Sequence, residues 1–509
     1  DMEPLPDENL MRSHIKPYIA GAMIRLGHRE QALRYYAEMG DAESLAVYGG
    51  DGDNKLYSWE ALEIVCRYAP NSPAIPKALQ KLVRQLEPGY PSWCFSCDDK
   101  ITQEGIRERV YALGQRMLRN PKTKDRAMWY YTLAFLEDIK GNTSRACQLL
   151  AQAEKAPLSP VMDKSVKVLR IYLDAKTRTY NSAYDRLLHT QLQWLDSQIR
   201  QNLSAKVCEE TAEFDKLRSG ISYYYWNDMM RKIVIGTVVP RMIEAGKAPI
   251  ALLLANYADN RLLSLVGEVE FSYSWQKPAI KMNLDDYRKK KNNSTDLSTI
   301  VNEYRSERGI FNNVDFSNHY FNLLDTISVS SVLGYEKLLM SYTSELETFL
   351  YKRSYINMEY LWDLIGTRYL RDCNYDKAVT YLSKVSDDYQ KTLNTYYYMN
   401  RLPFSYDRRY GEFIPNYKLD FARKMSEYHM IASTCTDPDI VGDALIKIGI
   451  GMRNSLEFCW ALTHYKWTYD DPRFEWNGSS VWHDKAQRTL SKGLNSMTNK
   501  NACDVLANY

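Results

Sequence analysis

The sequence has no hydrophobic run long enough to cross a bilayer. Its most apolar stretches are residues 233–239 and 250–258, far short of the roughly 20 apolar residues that a transmembrane helix needs. The formal net charge is only +3 over 509 residues, which leaves no electrostatic footprint for nucleic acid. We therefore expect neither a membrane-spanning protein nor a nucleic-acid-binding protein.

Glycine and proline are also sparse, with 23 and 18 residues, and they cluster between stretches of helical pattern. The chain has no succession of alternating strands joined by Asn-Gly or Asp-Gly turns, so its pattern does not indicate a sheet. Apolar residues instead recur at the three- and four-residue spacing of amphipathic helices. The sequence therefore predicts an all-α fold.

The motifs that mark many enzymes are missing as well. The chain has no His-Glu-x-x-His zinc motif and no Gly-x-Ser-x-Gly nucleophile motif. Gly246 and Lys247 resemble the end of a phosphate-binding loop, but Ala248 stands where a hydroxyl would be needed for magnesium. None of the seven histidines is paired in the sequence with another. We expect no catalytic residue, no metal and no cofactor.

Cys94 and Cys97 form a Cys-x-x-C pair directly after Trp93. A thioredoxin-type site needs a strand before the pair and a helix that opens at the first cysteine, whereas the preceding residues predict a helix and a Pro-Gly break. A structural zinc site needs four ligands, and no histidine lies near the pair. The odd total of nine cysteines is not the disulfide framework of a small secreted domain. We interpret the pair as loop cysteines and leave a local disulfide open.

The clearest helical pattern runs from residue 362 to 385 and predicts a helical hairpin. Large and small residues at helical spacing mark the inner faces of two helices, which a polar turn at 372–374 joins. We expect the small residues to let the two helices approach closely. The inner positions are Trp362, Ile365, Gly366 and Tyr369 in the first helix and Ala378, Leu382 and Val385 in the second.

This hairpin resembles a tetratricopeptide repeat, whose signature has Trp, Leu, Gly, Tyr, Ala and Phe at these offsets. The closing proline is missing, because Gln390 stands in its place. Weaker copies cover 18–39, 130–153 and 242–258, and the aligned alanines at 32, 146, 251 and 378 are 114, 105 and 127 residues apart. None of these intervals is a multiple of 34, so the resemblance implies an irregular tetratricopeptide-like α-solenoid of stacked helical hairpins.

Breaks in the helical pattern divide the chain into segments. Helical groups alternate with polar stretches in which glycine, proline and charged residues collect. The predicted segments are 1–90 (N-terminal helical repeats), 100–270 (middle helical repeats), 271–320 (irregular loop or insertion) and 321–509 (C-terminal helical repeats, including the hairpin 362–385).

Tyrosine is unusually common, with 40 Tyr against 13 Phe and 11 Trp. Aromatic residues gather at 222–228, 396–413 and 467–478, and in the last two stretches they stand beside arginines and acids. Protein contact sites and sugar-binding platforms share this combination, although the same rings could also hold loops onto the helices. The predicted contact surface comprises Tyr223, Tyr224, Trp226, Tyr406, Arg408, Arg409, Tyr410, Trp467, Tyr469, Arg473 and Trp476.

These observations favour a non-enzymatic scaffold, because helical solenoids present extended surfaces to a protein or peptide partner. The closing pattern, from "IGIGMRNSLEFCWALTHY" to the terminal "NACDVLANY", is similar to exported helical-repeat proteins of Gram-negative gut bacteria. That resemblance implies an accessory subunit of an outer-membrane complex, attached to the membrane only through a lipid anchor preceding Asp1. Buried-looking cysteines point instead to a reducing compartment, and we favour the extracytoplasmic location over the cytoplasm.

Two other functions remain open from the sequence. A glycan-binding surface lipoprotein would use the Trp and Tyr rings as a platform. A helical-toroid glycoside hydrolase or lyase would use carboxylates such as Asp471 and Glu475 as acid and base, which must lie roughly 5–9.5 Å apart.

Overall fold

The computed structural model shows a chain that is helical almost throughout its described part. The described residues are 10–41, 44, 47–48, 59–86, 103–202, 223–265, 268–272, 279–283, 319–354, 356, 358–386, 403–404, 417–457, 479–498 and 501–502. The chain folds as two compact units, Asp1–Arg178 and Thr179–Tyr509. The predicted all-α class is confirmed.

In the first unit, most helices that follow one another in the chain pack against one another. Each therefore covers the apolar face of its neighbour, as in helical-repeat proteins. The helices are α1 (Leu10–Arg25), α2 (Arg29–Met39), α3 (Trp59–Tyr68), α4 (Ala74–Gln85), α5 (Gln103–Arg119), α6 (Arg126–Ile139), α7 (Thr143–Lys155) and α8 (Pro160–Thr177).

The core of the first unit crosses the predicted boundary at 90–100. Leu82 and Leu86 on one side of it belong to the same buried cluster as Val110 and Leu113 on the other. The predicted middle segment 100–270 likewise does not coincide with the division that falls after Arg178. A break in helical pattern thus marks a connection between helices, whereas the units are set by which helices share a core.

The second unit contains the C-terminal helices and one short pair of strands. β1 and β2 are antiparallel, with Glu268 opposite Asn283 and Ser272 opposite Ala279. Of the predicted insertion 271–320, only 271–272, 279–283 and 319–320 lie within the described residues. The elements are α9 (Ser182–Asn202), α10 (Tyr223–Ile233), a π-helical turn (Val234–Val238), α11 (Val239–Glu244), α12 (Ala248–Leu265), β1 (Glu268–Ser272), β2 (Ala279–Asn283), α13 (His319–Thr326), α14 (Val329–Met340), α15 (Glu345–Tyr351), α16 (Met358–Arg371), α17 (Tyr375–Leu382), α18 (Tyr417–Thr434), α19 (Pro438–Glu457) and α20 (Ser479–Ser496).

The hairpin predicted at 362–385 is formed by α16 and α17, and the predicted polar turn joins them. A Cβ on Gly366 would lie 2.5 Å from Leu382 Cγ, so the helices approach as closely as a glycine allows. Ala378 is fully buried at the same interface. The expected packing of small against large residues is therefore confirmed at this hairpin.

The three weaker copies are hairpins too, and each turns at a glycine. Gly27, Gly141 and Gly246 have φ of 81°, 86° and 75°, a left-handed conformation that glycine adopts without a steric penalty. In the second of these turns the Asn142 N–H donates to the Glu137 carbonyl at 2.9 Å, which closes the end of the helix in a Schellman motif.

The hairpin at 362–385 makes the same turn with a different residue. Cys373 has a φ of 56° and is the non-glycine residue with positive φ in the described part of the chain. Its N–H donates to the Leu370 carbonyl at 3.0 Å, and the Asn374 N–H donates to the Tyr369 carbonyl at 2.9 Å. In all four hairpins the left-handed residue stands five positions before the small residue that starts the next inner face. Those small residues are Ala32, Ala146, Ala251 and Ala378.

Candidate functional site

Most of the predicted contact surface lies outside the described residues. Tyr223 and Tyr224 begin α10, but their side chains are not among those that the structure describes. The predicted contact residues that lie entirely outside the described residues are Tyr406, Arg408, Arg409, Tyr410, Trp467, Tyr469, Arg473 and Trp476.

Trp226 is placed in the core of the second unit and not on a contact surface. It is buried, and its ring meets Trp194 edge to face at a centroid distance of 5.7 Å. Met230 and Ile233, four and seven residues further along α10, are buried with it. This helical spacing was the signal that Trp226 faces inward, and the cluster of neighbouring tyrosines obscured it.

An exposed apolar surface lies instead on α1 and at Leu26, the residue that directly follows it. Ile15, Tyr18, Ile19 and Leu26, which we call the α1 stripe, are 46%, 80%, 38% and 72% exposed. Their spacing of three, four and eleven residues places them on one side of the helix axis.

The opposite side of α1 is already occupied by the core of the first unit. Ala20 is fully buried there, and Met23 and Ile24 pack against the same cluster. A helix that is apolar on both sides normally lies between two neighbours. Among the described residues, α2 is the only element that packs extensively against α1. The signal in the sequence was that the apolar residues of α1 are spread around the helix, so that helical periodicity does not assign them to a single face.

The charges on α1 all have one sign. Within Leu10–Arg25 the charged residues are Arg12, Lys16 and Arg25, with no acid. Lys16 Nζ lies 3.6 Å from a Glu38 carboxylate oxygen of α2, an exposed ion pair of small energetic weight. The α1 stripe is therefore an apolar surface with basic borders, the arrangement that marks interaction sites on soluble proteins.

A second group of aromatic and charged side chains surrounds Glu336 of α14. Its carboxylate accepts hydrogen bonds from Trp362 Nε1 at 2.9 Å, Tyr381 Oη at 3.2 Å and Lys384 Nζ at 3.4 Å. Burial, reinforced by the negative charge of Glu336, raises the pKa of Tyr381 to about 12. Because these donors come from the hairpin of α16 and α17, the Glu336 group fastens that hairpin to α14.

A buried ion pair joins α16 to α18. The fully buried Lys418 Nζ lies 3.2 Å from Asp363 Oδ1 and donates to Thr367 Oγ1 at 2.8 Å. Burial lowers the pKa of Lys418, while the charge of Asp363 opposes that shift. The ammonium has no exposed surface, so this pair fixes the register of two helices and does not face a ligand.

Among the side chains that the structure describes, no three His, Cys, Asp or Glu residues are placed to hold a metal ion. None of the described helices combines enough length and apolar content to cross a bilayer. No protein-family model, curated protein or solved structure shows a significant match to the chain.

Proposed function

We propose that the chain is a non-enzymatic scaffold for protein–protein interaction. The α1 stripe carries this proposal, because four exposed apolar side chains with basic borders lie together on one side of a helix whose other side is packed in the core. Such a patch is costly in water and is normally covered in a working complex.

We further propose that the hairpins form an irregular tetratricopeptide-like solenoid. Support comes from the turn that recurs in four hairpins, always five residues before a buried alanine. A repeated local geometry of this kind lets each hairpin stack on the next in a similar way.

The scaffold is proposed to work as an accessory subunit of an outer-membrane complex. This part rests on the similarity of the closing sequence to exported helical-repeat proteins. A stoichiometric protein companion in the cell envelope is the expected consequence.

Affinity purification of the full chain from native membranes tests the proposal. We expect a companion protein in stoichiometric amount with the wild type and its loss with the double variant Tyr18→Ser/Leu26→Ser. Val161→Ser provides the matched control, because Val161 is also an exposed apolar residue of the first unit, 62% exposed, but lies outside the α1 stripe. All these positions are exposed, so each variant should keep its fold.

Recovery of the chain alone, with no stoichiometric companion, would argue against a scaffold. If Val161→Ser caused an equal loss of the companion, the α1 stripe would not be the specific binding surface for it. Binding to a sugar array that Trp476→Ala abolishes, or turnover that Glu475→Gln abolishes, would replace the scaffold with a glycan binder or a glycoside-cleaving enzyme.

A further inference from the structure

The turn at Cys373 differs from the other three in a way that its packing does not require. Gly27, Gly141 and Gly246 occupy the same left-handed position, where a residue with a Cβ is disfavoured. A cysteine at this position therefore calls for another explanation, which lies in the surroundings of its sulfur.

The Cys373 sulfur meets a positive charge from another helix. Lys485 of α20 donates a hydrogen bond from Nζ to Cys373 Sγ at 2.9 Å. Cys373 is half-buried and Lys485 is exposed, so a small reagent can reach the sulfur. An ammonium group at this distance stabilises the negative charge that a cysteine sulfur carries when it acts as a nucleophile.

A buried hydroxyl also lies beside the sulfur. Tyr375 is only 5% exposed, and its hydroxyl faces Cys373 and has no other hydrogen-bond partner in the described part of the chain. Burial raises the pKa of Tyr375 well above its usual value, and the charge of a Cys373 thiolate adds to the rise. The hydroxyl is therefore protonated at neutral pH and can donate to an anionic sulfur.

The neighbouring imidazole does not compete for this role. His429 stacks on the Tyr375 ring at a centroid distance of 5.1 Å. Burial and the charge of Lys485 lower the pKa of His429, so it is neutral at pH 7 and adds no charge beside the sulfur.

Other free cysteines in the described residues have less favourable surroundings. Cys66 is buried, and its burial raises the pKa of the thiol to about 12. Cys147 lies near Arg170, but Glu154 pairs with that guanidinium at 2.8 and 2.9 Å, and burial raises the pKa of the Cys147 thiol. Cys435 is half-buried like Cys373 and is the natural comparison.

We propose that Cys373 is a thiol modification site that forms mixed disulfides with small disulfides. The Cys373 thiolate attacks one sulfur of R–S–S–R, so that a bond from Cys373 to that sulfur forms as the R–S–S–R bond breaks. The departing R–S⁻ takes up the proton that the Cys373 thiol released. Lys485 and Tyr375 are positioning residues, which stabilise negative charge on the attacking sulfur.

The modification would act on the hairpin that the proposed scaffold contains, although the chemistry does not depend on that function. A substituent on Cys373 displaces the Lys485 ammonium and so removes the hydrogen bond that links the turn of α16 and α17 to α20. Small disulfides would therefore weaken the contact between two parts of the helical array.

Timed peptide mapping by mass spectrometry of the full, reduced, folded chain tests the proposal. The probe is bis(2-hydroxyethyl) disulfide, which is uncharged and therefore is not itself attracted by Lys485. We expect Cys373 to be modified about tenfold faster than Cys435, and Lys485→Met to slow the reaction at Cys373 about fivefold. Lys485→Arg should keep most of the rate, and Tyr375→Phe should reduce it about twofold with the ring packing intact.

Two controls separate reactivity from unfolding. Cys435 should react at the same rate in wild type and variants, which a loss of fold would not permit. In the unaltered chain, raising the salt concentration should slow Cys373 and leave Cys435 unchanged, because an exposed charge is screened by salt. The proposal would be overturned if Cys373 reacted no faster than Cys435, or if Lys485→Met left the rate at Cys373 unchanged.

Discussion

Replacing Gly366 by alanine tests whether the close approach of α16 and α17 holds the hairpin together. The new Cβ would lie 2.5 Å from Cγ and 2.7 Å from Cδ2 of Leu382, closer than Cβ atoms tolerate. Overpacking of this kind costs about 1–3 kcal/mol, while alanine gains about 1 kcal/mol over glycine in helix propensity. Because two contacts are this short, we expect the upper part of the overpacking range and therefore a net loss of up to about 2 kcal/mol in the free energy of opening the hairpin.

Gly236 provides the matched control, because a Cβ there meets nothing within 4 Å. Gly236→Ala should therefore leave stability unchanged or raise it. Gly366→Ala should also become neutral or stabilising in a Leu382→Ala background, where the clashing side chain is gone.

Hydrogen exchange measured by mass spectrometry on peptides from α16 and α17 reads this opening directly. A local measurement is preferable, since a chain of two units need not unfold in one step. Unchanged or increased protection in Gly366→Ala alone would refute the packing argument.

Three other substitutions and conditions have defined outcomes. Cys373→Gly removes a left-handed Cβ, which is worth about 1–2 kcal/mol, but glycine also adds chain entropy to the unfolded state, which costs about 0.5–1 kcal/mol. We expect a net stabilisation of the hairpin by up to about 1.5 kcal/mol, and hydrogen exchange of the same peptides measures it. Asp363→Asn should cost about 3 kcal/mol in urea unfolding, because it leaves the Lys418 charge buried without its partner. The lowered pKa of Lys418 means that the folded chain binds fewer protons there than the unfolded chain. The double variant Asp363→Leu/Lys418→Met lacks this titrating group and serves as the reference. Relative to it, the wild type should gain stability as pH rises from the folded pKa of Lys418 toward its unfolded value of about 10.4, and lose that stability as pH falls. An equal pH dependence of both proteins would contradict this.

Helical periodicity was sufficient to predict the hairpins, because an inner face needs apolar residues at fixed spacing. Gly27, Gly141 and Gly246 also predict their turns, since glycine is the usual residue in the left-handed conformation at the end of a helix. Cys373 carries no such signal, and only the pattern on both sides of it predicted a turn. The interior contact of Gly366 with Leu382 follows from the same pattern and was predicted correctly.

The sequence was less informative about which residues stay at the surface. Trp226 was assigned to a contact surface by its neighbours in the chain, although its own spacing places it in the core. The α1 stripe was missed because both sides of α1 are apolar, so that composition could not distinguish the packed side from the exposed one. The pairing of Lys485 with Cys373 joins residues 112 positions apart, a contact that no local pattern encodes.

The order in which helices pack in the first unit has a consequence for how the chain is made. Helices α1 to α4 and α5 to α8 each contact mainly the next helix along the chain, so few long loops must close before apolar surface is buried. Chains with such local contacts fold quickly. The N-terminal unit can therefore reach its folded state one hairpin at a time as it leaves the ribosome, before the C-terminal unit has been synthesised.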